Sequence, residues 1–148
     1  MTAISLSLRV TSGGRDTARV AVRRQQFSVG RPLEFDEASP RISALEYALG
    51  AVGGEVVNGL QTFAWRRRLT VNAIEAVVTG TIENGLTYLE VVGEAALPVI
   101  AGIHVKVFVA ADDETATRRL FEGMLEKLPL VGTLRKATSI TIQLIFTP

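Results

Sequence analysis

Two periodicities of hydrophobic and polar residues run along this chain, and they predict both strands and helices. Apolar residues alternate with polar ones over Ile4–Val10, Ala18–Arg23 and Gln26–Val29, which predicts three short strands, the first two joined by a turn at Thr11–Asp16. From Ser43 to Arg68 the apolar residues instead recur every three or four positions, which is the helical period. The first half of the chain therefore predicts a small sheet followed by one long helix.

The long helix carries its own start and stop signals. Ser43 and Glu46 form a capping box, and Arg66–Arg68 places cations where the helix dipole favours them. Each glycine inside a helix costs about 1 kcal/mol relative to alanine. This helix nevertheless contains four, so we expect close packing against it: Gly50, Gly53, Gly54 and Gly59.

The second half of the chain predicts more strands and a second helix. In order, the pattern predicts a strand over Val71–Ile82, a partner strand over Leu86–Val92, a central strand over Ile103–Ala110, a helix capped by Asp112 or Asp113 and stopped by Pro129, a loop over Leu130–Lys136, and a last strand over Ile140–Phe146. An acidic loop is predicted at Glu34–Pro40, before the long helix. This order of strands and helices predicts one α+β domain over residues 1–148.

Composition narrows the classes of function. The 148 residues carry a net charge of +1, so we expect neither nucleic acid nor an acidic membrane as a partner. The chain has no cysteine, which excludes disulfides, thiolate chemistry and cysteine metal sites. The N-terminus lacks the pattern of a signal peptide and the long helix is too polar to span a membrane, so we expect a cytoplasmic protein.

Three segments carry a resemblance to a known family. Ser43–Glu55 resembles the S-P-L-E-Y-L-L-A-A-L-A-G-C segment of the OsmC/Ohr proteins, the osmotically inducible and organic-hydroperoxide-resistance family. Glu126–Leu134 resembles the family's E-K-C-P-V-x-x-T-L, and Gly13–Asp16 matches the G-G-R-D turn of its Ohr branch. The resemblance implies an OsmC-like fold, with antiparallel sheets around a long central helix and a second helix, in an intertwined homodimer.

The same resemblance implies that the family's chemistry is absent. Its enzymes are thiol peroxidases, but Glu55 stands at the peroxidatic cysteine position and Leu128 at the resolving one. Leu45 stands where the Ohr branch has a glutamate, and only Arg15 matches. Because a carboxylate cannot form a sulfenic acid and leucine cannot form a disulfide, we expect no thiol peroxidase activity.

Three interpretations of Glu55 remain open from the sequence. The first is a structural ion pair with Arg15, in a dimer without a ligand. The second is a binding site for a small, partly apolar molecule, lined by Arg15, Leu45, Glu55 and Leu128 at the dimer interface. The third is a cysteine-free enzyme in which Glu55 and Arg15 act as an acid/base pair.

The other candidate residues favour ordinary structural roles. His104 is the single histidine and has no ligand cluster around it, so we expect no metal site and no cofactor. Arg31 is expected to meet water, and Phe63 and Trp65 are expected to make core or dimer contacts.

Overall fold

A computed structural model describes residues 2–31 and 40–148 of the chain. The predicted acidic loop therefore lies outside the described residues, apart from Pro40. In chain order the elements are β1 (Arg9–Ser12), β2 (Ala18–Val22), β3 (Gln25–Val29), α1 (Ala44–Arg66), β4 (Val71–Glu83), α2 (Gly85–Tyr88), β5 (Val99–Ala111), α3 (Glu114–Leu125), α4 (Pro129–Leu134) and β6 (Ser139–Phe146). The chain divides into two compact units, residues 1–48 and 49–148, which are described separately. The single domain expected over residues 1–148 stays a prediction.

The first unit contains an antiparallel sheet in the order β1-β2-β3. Val10, Val20 and Phe27 are register partners on its apolar face, where the ring of Phe27 lies 5.0 Å from that of Tyr47. The prediction of a strand from Ile4 was wrong over residues 4–8, which have no strand structure. Because Arg9 already pairs with Ala21, close to the turn after Val22, β2 has almost no residues left to pair with that segment.

The long helix is confirmed, together with its cap. The N–H of Glu46 donates to Ser43 Oγ at 3.2 Å, and the N–H of Ser43 donates to Glu46 Oε2 at 2.7 Å. At the other end the N–H of Leu69 donates to the carbonyl of Ala64, and the N–H of Arg68 to that of Trp65. These two bonds make a Schellman motif, in which Arg68 takes the left-handed conformation with φ of 55°.

The second unit contains a mixed sheet in the order β4-β5-β6. The central position predicted for the Ile103 strand is confirmed, with β4 antiparallel and β6 parallel to β5. The antiparallel pairing expected for the sheets therefore does not extend to β6, because α3 and α4 carry the chain back across the sheet before that strand begins. Asp113 caps α3 by accepting the N–H of Ala116 at 2.9 Å, which settles the choice between the two aspartates.

Two segments of the second unit differ from prediction. Leu86–Val92 is no strand: Gly85–Tyr88 forms the short helix α2, and the partner of β4 is β5. Asn84, between β4 and α2, takes a left-handed conformation with φ of 57°, and its side-chain NH₂ donates to the carbonyl of Leu97 at 3.0 Å. The predicted loop over Leu130–Lys136 largely forms α4, because Pro129 begins a helix there.

The core of the second unit joins α1, α3 and the inner face of the sheet. Alternate residues of β5 are buried against both helices: Ile103, Val105, Val107 and Val109 from the strand, Val52, Val56, Leu60 and Ala64 from α1, and Leu120, Phe121 and Met124 from α3. Gly53 allows close approach of Val78, since an added Cβ would lie 2.7 Å from its Cγ2 atom. Gly59 does the same for Leu128 and Met124, whereas Gly50 and Gly54 face open space.

Candidate functional site

Glu55 lies half-buried in the middle of α1, and its carboxylate meets the start of α4. The N–H of Leu130 donates to Oε1 at 2.9 Å, and the N–H of Val131 donates to Oε2 at 2.9 Å. Each carboxylate oxygen thus accepts one backbone amide, so Glu55 has two backbone partners that the sequence did not indicate.

The beginning of α4 explains why these bonds matter. The first amides of a helix have no partner within the helix, and a Ser, Thr, Asp or Asn at the N-cap usually satisfies them. In α4 the N-cap is Leu128, which has no oxygen to offer. Pro129 at the first position has no N–H, and the N–H of Gly132 already reaches the carbonyl of Leu128 at 2.9 Å. Only Leu130 and Val131 need acceptors, and Glu55 supplies both.

The structure brings together the two positions that the resemblance assigns to the family's cysteines. Glu55 accepts hydrogen bonds from the amides of Leu130 and Val131, which lie two and three residues after Leu128 in the chain. Leu128 itself is buried, 6% exposed, and contacts the helix at Gly59. Leu45 is half-buried near the start of α1. The arrangement at Glu55 is therefore that of a carboxylate holding a helix end.

Arg15 belongs to the first unit. It is exposed and lines an open cavity of about 320 Å³ together with Asp16, Thr17 and Arg31. Asp16 and Arg31 form an ion pair. Arg31 thus lies beside a carboxylate, a partner that the sequence alone did not indicate.

The remaining candidates lie apart from Glu55. His104 is exposed on the face of β5 opposite the buried valines, beside Thr79 and Thr141 in the register. Within residues 2–31 and 40–148, no group of three or more His, Asp or Glu side chains is arranged to hold a metal ion. Phe63 packs at the edge of the core with Arg66 and Lys127 over its ring, whereas Trp65 is 80% exposed.

Comparison with solved structures decides the fold. An OsmC-like protein from Mycoplasma pneumoniae superposes with a TM-score of 0.80 at 12% identity, over 99% of this chain and 100% of that one. The fold is OsmC-like. The organic hydroperoxide resistance protein OhrB of Bacillus subtilis matches with a TM-score of 0.60 at 13% identity, over 96% and 98% of the chains. One from Elizabethkingia anophelis matches with a TM-score of 0.68 at 10% identity, over 99% of each chain.

Sequence comparison adds nothing to this OsmC-like fold. No family model matches the chain, and no curated protein matches it significantly. Among the described residues of this OsmC-like chain, no helix is both long and apolar enough to cross a membrane. The fold expected from the three resembling segments is confirmed.

Sequence reasoning identified Glu55 in this OsmC-like chain but missed its partners. The donors to its two carboxylate oxygens are main-chain amides about half of the chain away, and no side-chain pattern marks them. One signal did exist: Leu-Pro at 128–129 offers a helix start with no capping side chain.

Proposed function

We propose that this chain is an OsmC-like protein without thiol peroxidase activity. In this proposal Glu55 stabilises the start of α4, at the position that the resemblance assigns to the peroxidatic cysteine. The observation that carries the proposal is the pair of bonds from the carboxylate to the amides of Leu130 and Val131. Because both oxygens accept amides at the start of a helix, the first role of this side chain is to cap that helix. The chain also has no thiol with which to reduce a peroxide.

The test is direct. The protein is mixed with tert-butyl hydroperoxide and dithiothreitol, and hydroperoxide consumption is followed. The expected rate equals that of dithiothreitol alone. Consumption that rises in proportion to protein concentration would refute the proposal.

We further propose that the region beside Glu55 binds a small, partly apolar molecule. A carboxylate oxygen has more than one lone pair, so each oxygen of half-buried Glu55 retains capacity beyond its bond to α4. Because a carboxylate only accepts hydrogen bonds, the polar head of such a ligand has to be a donor, an alcohol or an ammonium group. Leu45, which is half-buried, is the candidate for contact with the apolar part, and Leu128, which is buried, contributes less.

Octan-1-ol and n-octylamine are suitable probes for this binding. Backbone amide shifts in NMR spectra should change in a saturable way around residues 55 and 130. The Arg15→Gln variant tests whether the arginine of the resembling turn takes part. Shifts spread evenly over the exposed apolar surface, or none at all, would refute the ligand.

The enzyme interpretation is less well supported by this geometry. An acid or base has to exchange a proton with a substrate at a carboxylate oxygen, and the α4 amides hold both oxygens of Glu55 in place, so a substrate can reach only their remaining lone pairs. We retain it as the alternative in which Glu55 and Arg15 act together.

We also propose a homodimer in the cytoplasm. Trp65 supports the dimer, because this indole is 80% exposed and Trp is enriched at protein–protein interfaces. Sedimentation equilibrium should give a dimer, and Trp65→Ala should weaken it. A monomer at all concentrations up to the millimolar range would refute the dimer. Cell fractionation in the source organism tests the location.

A further inference from the structure

The outward face of the first sheet consists of polar donors around one alanine. Register pairs place Arg9 beside Ala21 and Thr11 beside Arg19, and carry the same face on to Gln26 and Ser28 of β3. The opposite face carries Val10, Val20 and Phe27. The face therefore contains two guanidinium groups, two hydroxyls and an amide, and no carboxylate among its six positions.

These two arginines have no acidic partner in the part of the chain that the structure describes. Residues 2–31 contain six arginines and a single acid, Asp16, which pairs with Arg31. The other described carboxylate of the first unit, Glu46, accepts from the backbone N–H of Ser43 in the capping box. The charge of Arg9 and Arg19 is therefore not compensated by the described residues around them.

The same face is concave. Arg9, Thr11, Arg19, Ala21 and Gln26 line a shallow cavity of about 220 Å³, which we call the arginine groove. Pockets for drug-sized ligands begin at about 300 Å³, so the groove fits a compact group. Arginine presents a planar fork of donors that matches the oxygens of phosphate, and Thr11 and Gln26 add further donors at the same place.

We propose that the arginine groove binds a phosphate monoester or inorganic phosphate. A phosphate dianion supplies two negative charges for two guanidinium groups, and its terminal oxygens accept from several donors at once. A carboxylate offers one charge and two oxygens, and so leaves part of the donor set unused. This site belongs to the first unit and does not depend on the function proposed for Glu55.

The experiment titrates the full chain with inorganic phosphate and phenyl phosphate, at constant ionic strength, while backbone amides are followed by NMR. Acetate and succinate are titrated in parallel as carboxylates. The expected result is saturable binding with a Kd in the millimolar range, shifts confined to β1, β2 and β3, and tighter binding of the phosphates than of the carboxylates. Free phosphate and the ester are distinguished by which of the two binds more tightly.

The variants Arg9→Gln and Arg19→Gln should each weaken phosphate binding by about fivefold, the upper range for an exposed ion pair. Arg119→Gln is the matched control, because Arg119 is an exposed arginine of α3 and removes the same charge elsewhere. It should leave the Kd unchanged. Equal weakening by all three variants would reduce the effect to net charge and overturn the site, as would non-saturable shifts or tighter binding of succinate. Because both groove arginines are exposed, the variants should fold, and their amide spectra check this.

Discussion

Removing the carboxylate of Glu55 should destabilise the protein by leaving the start of α4 without acceptors. In Glu55→Ala the amides of Leu130 and Val131 lose both partners, and neither Leu128 nor Pro129 provides a substitute. Hydrogen bonds to charged groups contribute about 1.5–3 kcal/mol each, and loss of an N-cap side chain costs about 0.5–2 kcal/mol. Because Glu55 is only half-buried, water replaces part of the loss, and we expect a total of about 2–3 kcal/mol.

Glu55→Gln separates charge from shape. The amide keeps one accepting oxygen but presents its NH₂ group, a donor, to the second backbone N–H. One hydrogen bond is lost and the other is no longer made to a charged group, so the free energy of unfolding should fall by about 1–2 kcal/mol. The matched controls are Glu122→Ala and Glu122→Gln, since Glu122 is exposed on α3 and should change stability by no more than about 0.5 kcal/mol.

Urea denaturation at a fixed protein concentration gives the free energies, and a loss of 2 kcal/mol should lower Tm by about 4–8 °C. Native-state hydrogen exchange adds a local measurement, because the amides of Leu130 and Val131 should lose protection in both Glu55 variants. A cost below about 0.5 kcal/mol for Glu55→Ala, with both amides still protected, would refute the reasoning.

Three further predictions concern other positions. Arg68→Gly should stabilise the protein by about 0.5–1 kcal/mol in thermal unfolding, because glycine accepts the left-handed conformation at C′, whereas Arg67→Gly should not; a loss of Tm at position 68 would contradict this. Thr117→Val should gain about 1 kcal/mol in urea denaturation, since the fully buried Oγ1 has no hydrogen-bond partner within the described residues, and a destabilised variant would show that it has one. The backbone and side-chain bonds from Ser43 lower the pKa of Glu46 below its ordinary value of 4.5, so its contribution is present above that value and lost as pH falls through the lowered pKa. The stability difference between wild type and Glu46→Gln should therefore shrink in acid, and a pH-independent difference would count against the capping box.

Local signals in the sequence were sufficient for the elements whose stabilising contacts are near in the chain. The α1 helix was predicted because Ser43 and Glu46 bond each other across three residues, and β5 because its alternation places Ile103 and its neighbours on one buried face. The segments that failed depend on distant partners. Leu86–Val92 carries a strand pattern, yet Thr87 bonds the carbonyl of Ala96 at 2.7 Å and the β4 edge is taken by β5.

For the candidate site too, the local feature was predicted from the sequence and the distant partner was not. The position of Glu55 was predicted from the resemblance, and the need for a partner followed from the cost of burying a carboxylate. The partner itself was missed, because backbone amides carry no side-chain pattern and Pro129 was interpreted as the end of a helix, not as the start of the next one. Its second role, as the first residue of α4, depends on Glu55 being present to accept the amides behind it.

The dependence of α4 on Glu55 also bears on the order of folding. Six residues are too few for a helix to persist alone in water, and this one lacks a capping side chain of its own. Its acceptors arrive from a residue 75 positions earlier in the chain, so the loop between them has to close first. Pairing of β6 with β5 in parallel requires the chain to pass through α4 beforehand. We therefore expect the segment from α4 to β6 to complete folding last, after the long helix and the β4-β5 pair have formed.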